Sequence, residues 1–347
     1  MMERIALAPD FTISRIIKGG WQLSQGHSTS LKSDPVQDMF DFADAGITSF
    51  DCADIYTGVE DAIGKFLQER KKRFGHNNDI QVLTKFVPDY DALATLDRHY
   101  VQRIIDRSLQ RLGLAQLDVV QFSWWSYQFD RYVEVAGWLR ELQQAGKIRL
   151  LAGTNFNTEA TLKILAAGVP LVSMQTQYSV LDNRPEHALA SCCLEHRMKL
   201  LCYGTVAGGF LDERWLGVPE PQPPFENRSL VKYKLMIDDF GGWHLFQELL
   251  QTLAAIARQH GVSIANVASC FTLEQPAVGA LIIGARSAAH LHDNLRIFRF
   301  QLSDSEHKEI QSVLSKRTGP PGEPFDLERI KEGKHGAIMR YNLNQLS

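Results

Sequence analysis

The chain of 347 residues lacks any long apolar run. No stretch reaches the roughly 18 apolar residues of a membrane-spanning helix, and the N-terminus, Met1 to Ala6, has no apolar region of the signal-peptide kind. Long basic runs are also missing and the formal net charge is only -3, so nothing indicates binding to nucleic acid or to an anionic membrane. We therefore expect a cytoplasmic protein that binds a small molecule.

Cysteine is scarce, which disfavours a disulfide framework. The chain has five cysteines, an odd number, and two of them, Cys192 and Cys193, are adjacent. Their spacing does not match a zinc site, and no metal is expected. The pattern favours reduced thiols that pack as small apolar side chains.

A Gly-x-Gly-x-x-Gly turn is also absent. A doubly wound dinucleotide-binding fold usually places that turn directly after an early strand, whereas Gly19-Gly20 and Gly208-Gly209 are isolated pairs here. The doubly wound fold stays open as the alternative architecture, but the missing turn disfavours it.

Short apolar segments of strand type alternate with longer amphipathic segments along the chain. Such alternation is typical of parallel βαβ units. The strand candidates are 16–21, 47–53, 80–86, 117–123, 149–154, 171–177, 200–203 and 280–283, and the helix candidates include 35–45, 60–73, 100–112, 132–145 and 159–167. Eight strands with helices between them predict an α/β fold, a (β/α)8 TIM barrel in a single domain over residues 1–347.

Two segments are longer than ordinary connections. Residues 213–243 hold four prolines and five aromatic residues, and we interpret them as a functional loop over the mouth of the barrel. Residues 319–347 form a tail rich in proline and glycine, for which a loose terminus and a role near the site are both open.

Polar residues end two neighbouring strands, and barrel enzymes build their sites at strand ends. Asp51 closes the second strand, Tyr56 follows it, and Lys85 ends the third. A buried lysine needs a carboxylate partner, which Asp51 can supply. The nearby positive charge of Lys85 is expected to lower the pKa of Tyr56 and to suit it as a general acid.

At these residues the chain resembles the aldo-keto reductase family. The segment from Phe50 to Tyr56, followed by Gly58 and Glu60, is similar to the family signature, and Lys85 stands at the family's lysine position. Similar motifs continue along the chain at residues 153–156, 175–178, 203–205 and 283–294. The resemblance implies a barrel that binds NADPH in preference to NADH and reduces carbonyl groups.

The resemblance also implies a role for particular residues. Asp51, Tyr56, Lys85 and Ser123 are the catalytic set, and Trp21, Tyr56, Trp124 and Trp125 are the substrate set. The cofactor set is Gly20, Trp21, Asp51, Thr154, Asn155, Gln175, Tyr203, Gly204, Thr205, Gly208, Ile283, Gly284, Arg286, His290, Asp293 and Asn294. Within it, Thr154, Asn155 and Gln175 would hold the nicotinamide carboxamide, and Tyr203 would stack on the ring. The segment 204–209 would follow the pyrophosphate, Arg286 would meet the 2′-phosphate, and Asp293 with Asn294 would hold the adenine.

The sequence departs from the family pattern at three positions. Ser123 stands where the family has its catalytic histidine, and Gly284 and His290 stand where many members have lysine and arginine. A serine hydroxyl can donate one hydrogen bond but is shorter than imidazole, so we expect it to need a bridging water. Two functions follow: an NADP-dependent aldehyde or ketone reductase, or a low-turnover NADP(H)-binding module that reports redox state to a protein partner.

Overall fold

The protein forms a closed parallel barrel, as seen in a computed structural model that describes residues 2–24, 34–285 and 287–344. Within these ranges the barrel has eight strands in the order β10-β3-β4-β5-β6-β7-β8-β9. They are β3 (Ile16–Gly19), β4 (Ser49–Asp51), β5 (Gln81–Phe86), β6 (Leu117–Phe122), β7 (Ile148–Thr154), β8 (Ser173–Gln177), β9 (Lys199–Tyr203) and β10 (Val278–Gly284). The predicted barrel is confirmed, and each predicted strand contains or overlaps an observed one.

An N-terminal hairpin precedes the barrel, and the sequence analysis missed it. Strand β1 (Arg4–Ala8) pairs antiparallel with β2 (Phe11–Ser14). Leu7, Phe11 and Ile13 of this hairpin are buried in one cluster with the barrel-lining residues Ile17 and Leu83. The hairpin therefore covers the end of the barrel at which the strands begin, opposite the end that carries the catalytic candidates.

Helices surround the barrel, and six of the thirteen in the described ranges begin at a side-chain cap. They are α1 (Pro35–Asp44), α2 (Val59–Phe74), α3 (Arg98–Leu112), α4 (Tyr132–Gln144), α5 (Thr158–Ala166), α6 (Arg184–His187), α7 (Leu189–Glu195), α8 (Arg228–Phe240), α9 (Gly242–His260), α10 (Ile264–Leu273), α11 (Leu291–Asn294), α12 (Asp304–Leu314) and α13 (Asp326–Arg329). Asp97 and Asn157, for example, accept a hydrogen bond from a backbone amide of the first turn of α3 and α5. The five predicted helices are each confirmed to within two residues.

The segment 213–243 is not the long loop that its prolines suggested. Helix α8 begins after its cap Asn227 and ends at Phe240. The next residue, Gly241, has a φ of 141° that is accessible to glycine, and α9 starts directly afterwards. The prolines at 219–224 all precede α8, so they exclude helix only from the first part of the segment. Apolar residues of α8 such as Met236 and Ile237 are fully buried, and this tertiary packing stabilises the helix.

The described ranges contain neither a membrane-spanning helix nor a metal-binding cluster. Their helices are all too short or too polar to span a bilayer, and their His, Cys, Asp and Glu side chains form no cluster suited to a metal ion. The five cysteines are buried and free, as the sequence predicted.

Candidate active site

The barrel interior changes from apolar to polar along the strands. Alternate residues of a strand face the same side, so Lys85 follows Leu83 into the interior of β5 and Gln121 follows Val119 into that of β6. In register, Lys85 pairs with Gln121. Because the strands are parallel, the last inward residue of each one lies at the same end of the barrel. That end holds most of the predicted catalytic and nicotinamide-binding residues.

Asp51 and Lys85 form a buried ion pair, as expected. The Lys85 ammonium donates to both carboxylate oxygens of Asp51, at 2.6 and 2.7 Å, and to the carbonyl oxygen of Cys52 at 2.8 Å. Both side chains are about 95% buried. Burial alone would lower the pKa of Lys85, but Asp51 raises it above its ordinary value, so Lys85 stays charged.

Two glutamines complete the environment of Asp51. Gln121 Nε2 lies 3.0 Å and Gln175 Nε2 lies 2.7 Å from Asp51 Oδ1. Gln175 Nε2 also donates to Gln121 Oε1 at 2.8 Å. Sequence reasoning missed Gln121, although an amide in the apolar strand β6 was a signal that a buried polar partner was required.

Tyr56 lies beside the ion pair, but its predicted pKa shift was wrong in direction. The Lys85 ammonium is 4.9 Å from the centre of the Tyr56 ring, and Trp21 packs on the same ring at 5.2 Å. Burial raises the pKa of Tyr56, Lys85 opposes the rise, and Asp51 adds to it. The carboxylate that fixes Lys85 thus offsets part of its field, and the phenol remains protonated at neutral pH.

Ser123 follows β6 at the same end of the barrel and is 95% buried. Its backbone amide donates to the carbonyl of Phe86 at 3.0 Å, which extends the β5–β6 ladder by one residue. Trp124 and Trp125 come next. Trp124 is fully buried with its indole N–H on the carbonyl of Phe129, and Trp125 donates to the carbonyl of Pro88. Their burial favours packing over the predicted substrate contact, because neither indole is open to a ligand.

The residues predicted for the nicotinamide carboxamide lie together. Thr154 pairs in register with Gln175, and its buried hydroxyl has no hydrogen-bond partner among the described residues. Asn155, at a left-handed φ of 61°, accepts from the Tyr203 hydroxyl at 2.9 Å, which leaves its Nδ2 to donate. Gln175 uses both amide hydrogens on protein atoms, which leaves Oε1 to accept. This donor and acceptor set matches a carboxamide, which has one N–H2 group and one carbonyl.

Glycines of the predicted cofactor set allow close approaches. A Cβ at Gly20 would lie 2.6 Å from the carbonyl oxygen of Asp51, so glycine lets β3 end against β4. Gly204 and Gly208 have positive φ, and a Cβ on either would overlap the side chain of Tyr233, at 2.3 and 2.7 Å. Thr205 between them is buried. Tyr233 of α8 is a neighbour that the sequence did not reveal.

The predicted adenosine site follows β10. Ile283 is buried near the end of that strand. A Cβ at Gly284 would lie 2.1 Å from Nε2 of Gln22, so the side chain of Gln22 packs directly against this glycine. Arg286 lies outside the described residues. His290 and Asn294 belong to short helical turns, and Asp293 accepts from the hydroxyl of Ser263 at 2.9 Å.

Two residues missed by sequence reasoning hold the same loop on both sides of residue 286. Lys18 Nζ donates to the carbonyl oxygen of Ala285 at 3.1 Å, and the amide of Ala288 donates to Asp38 Oδ1 at 3.0 Å. Burial lowers the pKa of Lys18 to about 8. A buried lysine in β3 was visible in the sequence, but its contact with a loop some 270 residues away was not.

The described part of the C-terminal tail packs on the strand ends, so it lies near the candidate site and is not a loose terminus. Arg329 Nη2 donates to the carbonyl oxygens of Trp124 and Asn155, at 3.2 and 2.5 Å. Its neighbour Glu328 is fully buried 3.2 Å from Arg184 and 3.6 Å from Lys232. Burial alone would raise the pKa of Glu328, but the two cations lower it to about 2.

Comparison with known proteins agrees with this geometry. The model of the Aldo/keto reductase family matches residues 15–315. The chain is 28% identical to the chloroplastic pyridoxal reductase of Arabidopsis thaliana over 89% of this chain and 85% of that protein. It is 26% identical to the aldo-keto reductase yakc [NADP(+)] of Schizosaccharomyces pombe, over 78% and 79% of the two chains.

Solved structures share the fold. Glycerol dehydrogenase AKR11B4 from Gluconobacter oxydans superposes with a TM-score of 0.74 at 22% identity, over 92% of this chain and 97% of that one. The thermostable aldo-keto reductase Tm1743 superposes with a TM-score of 0.70 at 22% identity, over 90% and 100%.

Proposed function

The chain belongs to the aldo/keto reductase family, an oxidoreductase family, and we propose that it reduces aldehydes or ketones to alcohols with NADPH. The observation that carries the proposal is the buried Lys85–Asp51 pair beside Tyr56. A buried pair of this kind next to a titratable group can stabilise a change of charge on that group. Tyr56 is that group, and we assign it as the general acid.

The protonation states suit this assignment. Tyr56 holds its proton at neutral pH because burial raises its pKa. When the phenol gives that proton to a carbonyl oxygen, the charged Lys85 stabilises the phenolate that is left. Asp51 keeps Lys85 in place, while Gln121 and Gln175 hold Asp51. General acid catalysis by a positioned side chain typically contributes about 10²- to 10⁴-fold in rate.

NADPH would supply the hydride that reduces the carbonyl carbon. Thr154, Asn155 and Gln175 would bind its carboxamide, and the unpartnered Thr154 hydroxyl supports that fit. Tyr203 would stack on the nicotinamide ring, with 204–209 along the pyrophosphate. Arg286 would select the 2′-phosphate, since a guanidinium suits a dianion. A cytoplasmic location and a small carbonyl substrate complete the proposal.

Ser123 would act as a hydrogen-bond donor to the substrate carbonyl, through a water. Trp21 on the Tyr56 ring supports an apolar or aromatic substrate, because it places an apolar surface next to the proton donor.

Single-turnover kinetics test this function. Purified protein is mixed with NADPH and a panel of aldehydes and ketones, and the loss of nicotinamide absorbance is followed. We expect reduction by the parent and a rate at least about 10²-fold lower for Tyr56→Phe. If NADPH binds but neither protein reduces any carbonyl, the reductase proposal is wrong, and the low-turnover module that senses redox state takes its place.

A further inference from the structure

The end of the C-terminal tail runs beside the loop that follows β5. The amide of Tyr90 donates to the carbonyl of Tyr341 at 2.8 Å, and Asn342 exchanges two hydrogen bonds with Asp91, at 2.9 and 3.1 Å. Chain ends are usually poorly ordered unless specific contacts hold them. This tail is therefore fastened to the loop that begins two residues after Lys85.

Asn344 makes the deepest contact of the tail. Its Nδ2 donates to Asp54 Oδ2 at 3.1 Å and to the carbonyl oxygen of Val87 at 2.6 Å. Its backbone amide donates to Asp89 Oδ1 at 2.8 Å, and its Oδ1 accepts from the Arg107 guanidinium. Arg107 can only donate, so these partners define the orientation of the amide. Asn344 as a whole residue is 92% buried, and the donors and the acceptor of its side chain are in use.

Asp54 connects the same two loops. Its carboxylate oxygens accept from the amide of Val87 at 3.1 and 3.2 Å. Asp54 lies two residues before Tyr56, and Val87 lies two residues after Lys85. Asn344 closes this link from a third segment, some 290 residues further along the chain.

We propose that Asn344 is a positioning residue for Tyr56 and Lys85. Through Asp54 and Val87, Asn344 holds the loop of Tyr56 and the strand end of Lys85 at a fixed separation. The inference rests on the proposed function of Tyr56 and Lys85. It goes beyond that function, because no sequence motif pointed to residue 344. A shift of about 1 Å between groups that transfer a proton can lower a rate about 10²-fold. A tail contact this close to both loops is placed to prevent such a shift.

The charges around the link make it sensitive to protonation. Asp54 faces Glu60 of α2 and Arg107 of α3. Arg111 of α3 donates from Nη1 to the backbone carbonyl oxygen of Asp54 at 3.2 Å. Burial and Glu60 raise the pKa of Asp54 to about 7. A hydrogen bond from an amide N–H to a carboxylate is stronger than one to a neutral carboxylic acid. The hydrogen bond between Asn344 and Asp54 is therefore strongest above that pH.

Asn344→Asp is the sharpest test, because it keeps the shape and removes the donor. At pH 8 two carboxylates would face each other, and we expect the single-turnover rate to fall at least tenfold while the NADPH dissociation constant changes less than about twofold. At pH 6 a shared proton restores one hydrogen bond, so we expect the ratio of variant to parent rate to recover. A purely structural contact would not give this pH profile.

Asn342→Ala is the matched control, since it removes a tail asparagine on the same loop without touching Asp54. We expect the control to keep the parent rate. Asn344→Ala, which avoids the added charge, should slow the reaction by about tenfold, and adding it to Asp54→Asn should have no further effect. Equal rates for Asn344→Ala and the parent, or losses that multiply in the double variant, would overturn the proposal.

A measurement without turnover separates this proposal from the proposed function. Fluorotyrosine at position 56 reports the surroundings of the phenol through its ¹⁹F chemical shift. If the parent reduces no carbonyl, the proposed function fails. A ¹⁹F shift moved by Asn344→Ala and unchanged in Asn342→Ala would still support positioning, and an unmoved shift in both would reject it.

Discussion

Lys85 lies 2.6 and 2.7 Å from the two carboxylate oxygens of Asp51, and this pair is almost completely buried. Breaking a buried pair leaves one charge without compensation, which costs about 3–5 kcal/mol. We expect Lys85→Met to lower the free energy of unfolding by that amount and to abolish carbonyl reduction, measured by denaturant unfolding and by NADPH oxidation.

Lys163→Met is the control for this change. Its ion pair with Glu159 has a similar distance, 2.8 Å, but is exposed, so we expect little change in the free energy of unfolding. Comparable losses in the two variants would contradict the importance of burial.

The buried hydroxyl of Thr154 has no partner among the described residues, so its removal separates binding from stability. We expect Thr154→Val to leave the melting temperature unchanged or slightly raised and to weaken NADPH binding by about 5- to 10-fold, the value of one hydrogen bond. Fluorescence titration with NADPH measures the effect. Ser173→Ala removes another unpartnered buried hydroxyl. Ser173 begins β8 and lies at the end of the barrel away from the candidate site, so this variant should not alter the titration.

Ser123 is expected to contribute less than a histidine would. We predict that Ser123→Ala lowers kcat/KM by about tenfold, below the 10²- to 10³-fold typical of a directly positioned donor, because the serine acts through a water. Ser123→His should raise the rate with small aldehydes by supplying a longer donor. Steady-state kinetics on aldehydes of increasing size decide this, and a slower histidine variant on all of them would show that serine is required by the substrate.

Glu328 compensates two buried cations, Arg184 and Lys232. Glu328→Ala should lower the free energy of unfolding by about 3–5 kcal/mol, because Lys232 loses its carboxylate and Arg184 keeps only its pair with Asp182. Thermal unfolding measures it, with Glu332→Ala on the exposed side of the tail as a control without effect. If both variants melt like the parent, the tail does not contribute to stability.

Asp54 makes the stability of the fold depend on pH. Its pKa is about 7 in the folded chain against an ordinary 3.8, so between those values the folded chain holds a proton that the unfolded chain has released. This contribution is complete below about pH 4 and is lost as the pH rises to 7. Between pH 4 and pH 7, the free energy of unfolding of the parent should therefore fall relative to Asp54→Asn, by on the order of 2–4 kcal/mol. Parallel pH curves would show that Asp54 does not titrate in this range.

The sequence by itself determined the barrel and the composition of its polar end. Alternation with a period of two places Lys85 above Leu83 on the inner face of β5, and parallel strands bring such positions to one end. Local patterns also predicted five of the helices, because amphipathic spacing is read from neighbouring residues. The roles of Ser123 and of the cofactor set, and the single-domain organisation, stay predictions.

Only the tertiary structure decided what depends on distant segments. The pKa of Tyr56 is raised because burial exceeds the effect of Lys85, and burial is a property of the whole enclosure. Helix α8 forms in a proline-rich region because Met236 and Ile237 are packed against the core. Asn344 meets Asp54 across some 290 residues, and no local periodicity encodes a contact between residues so far apart in the chain.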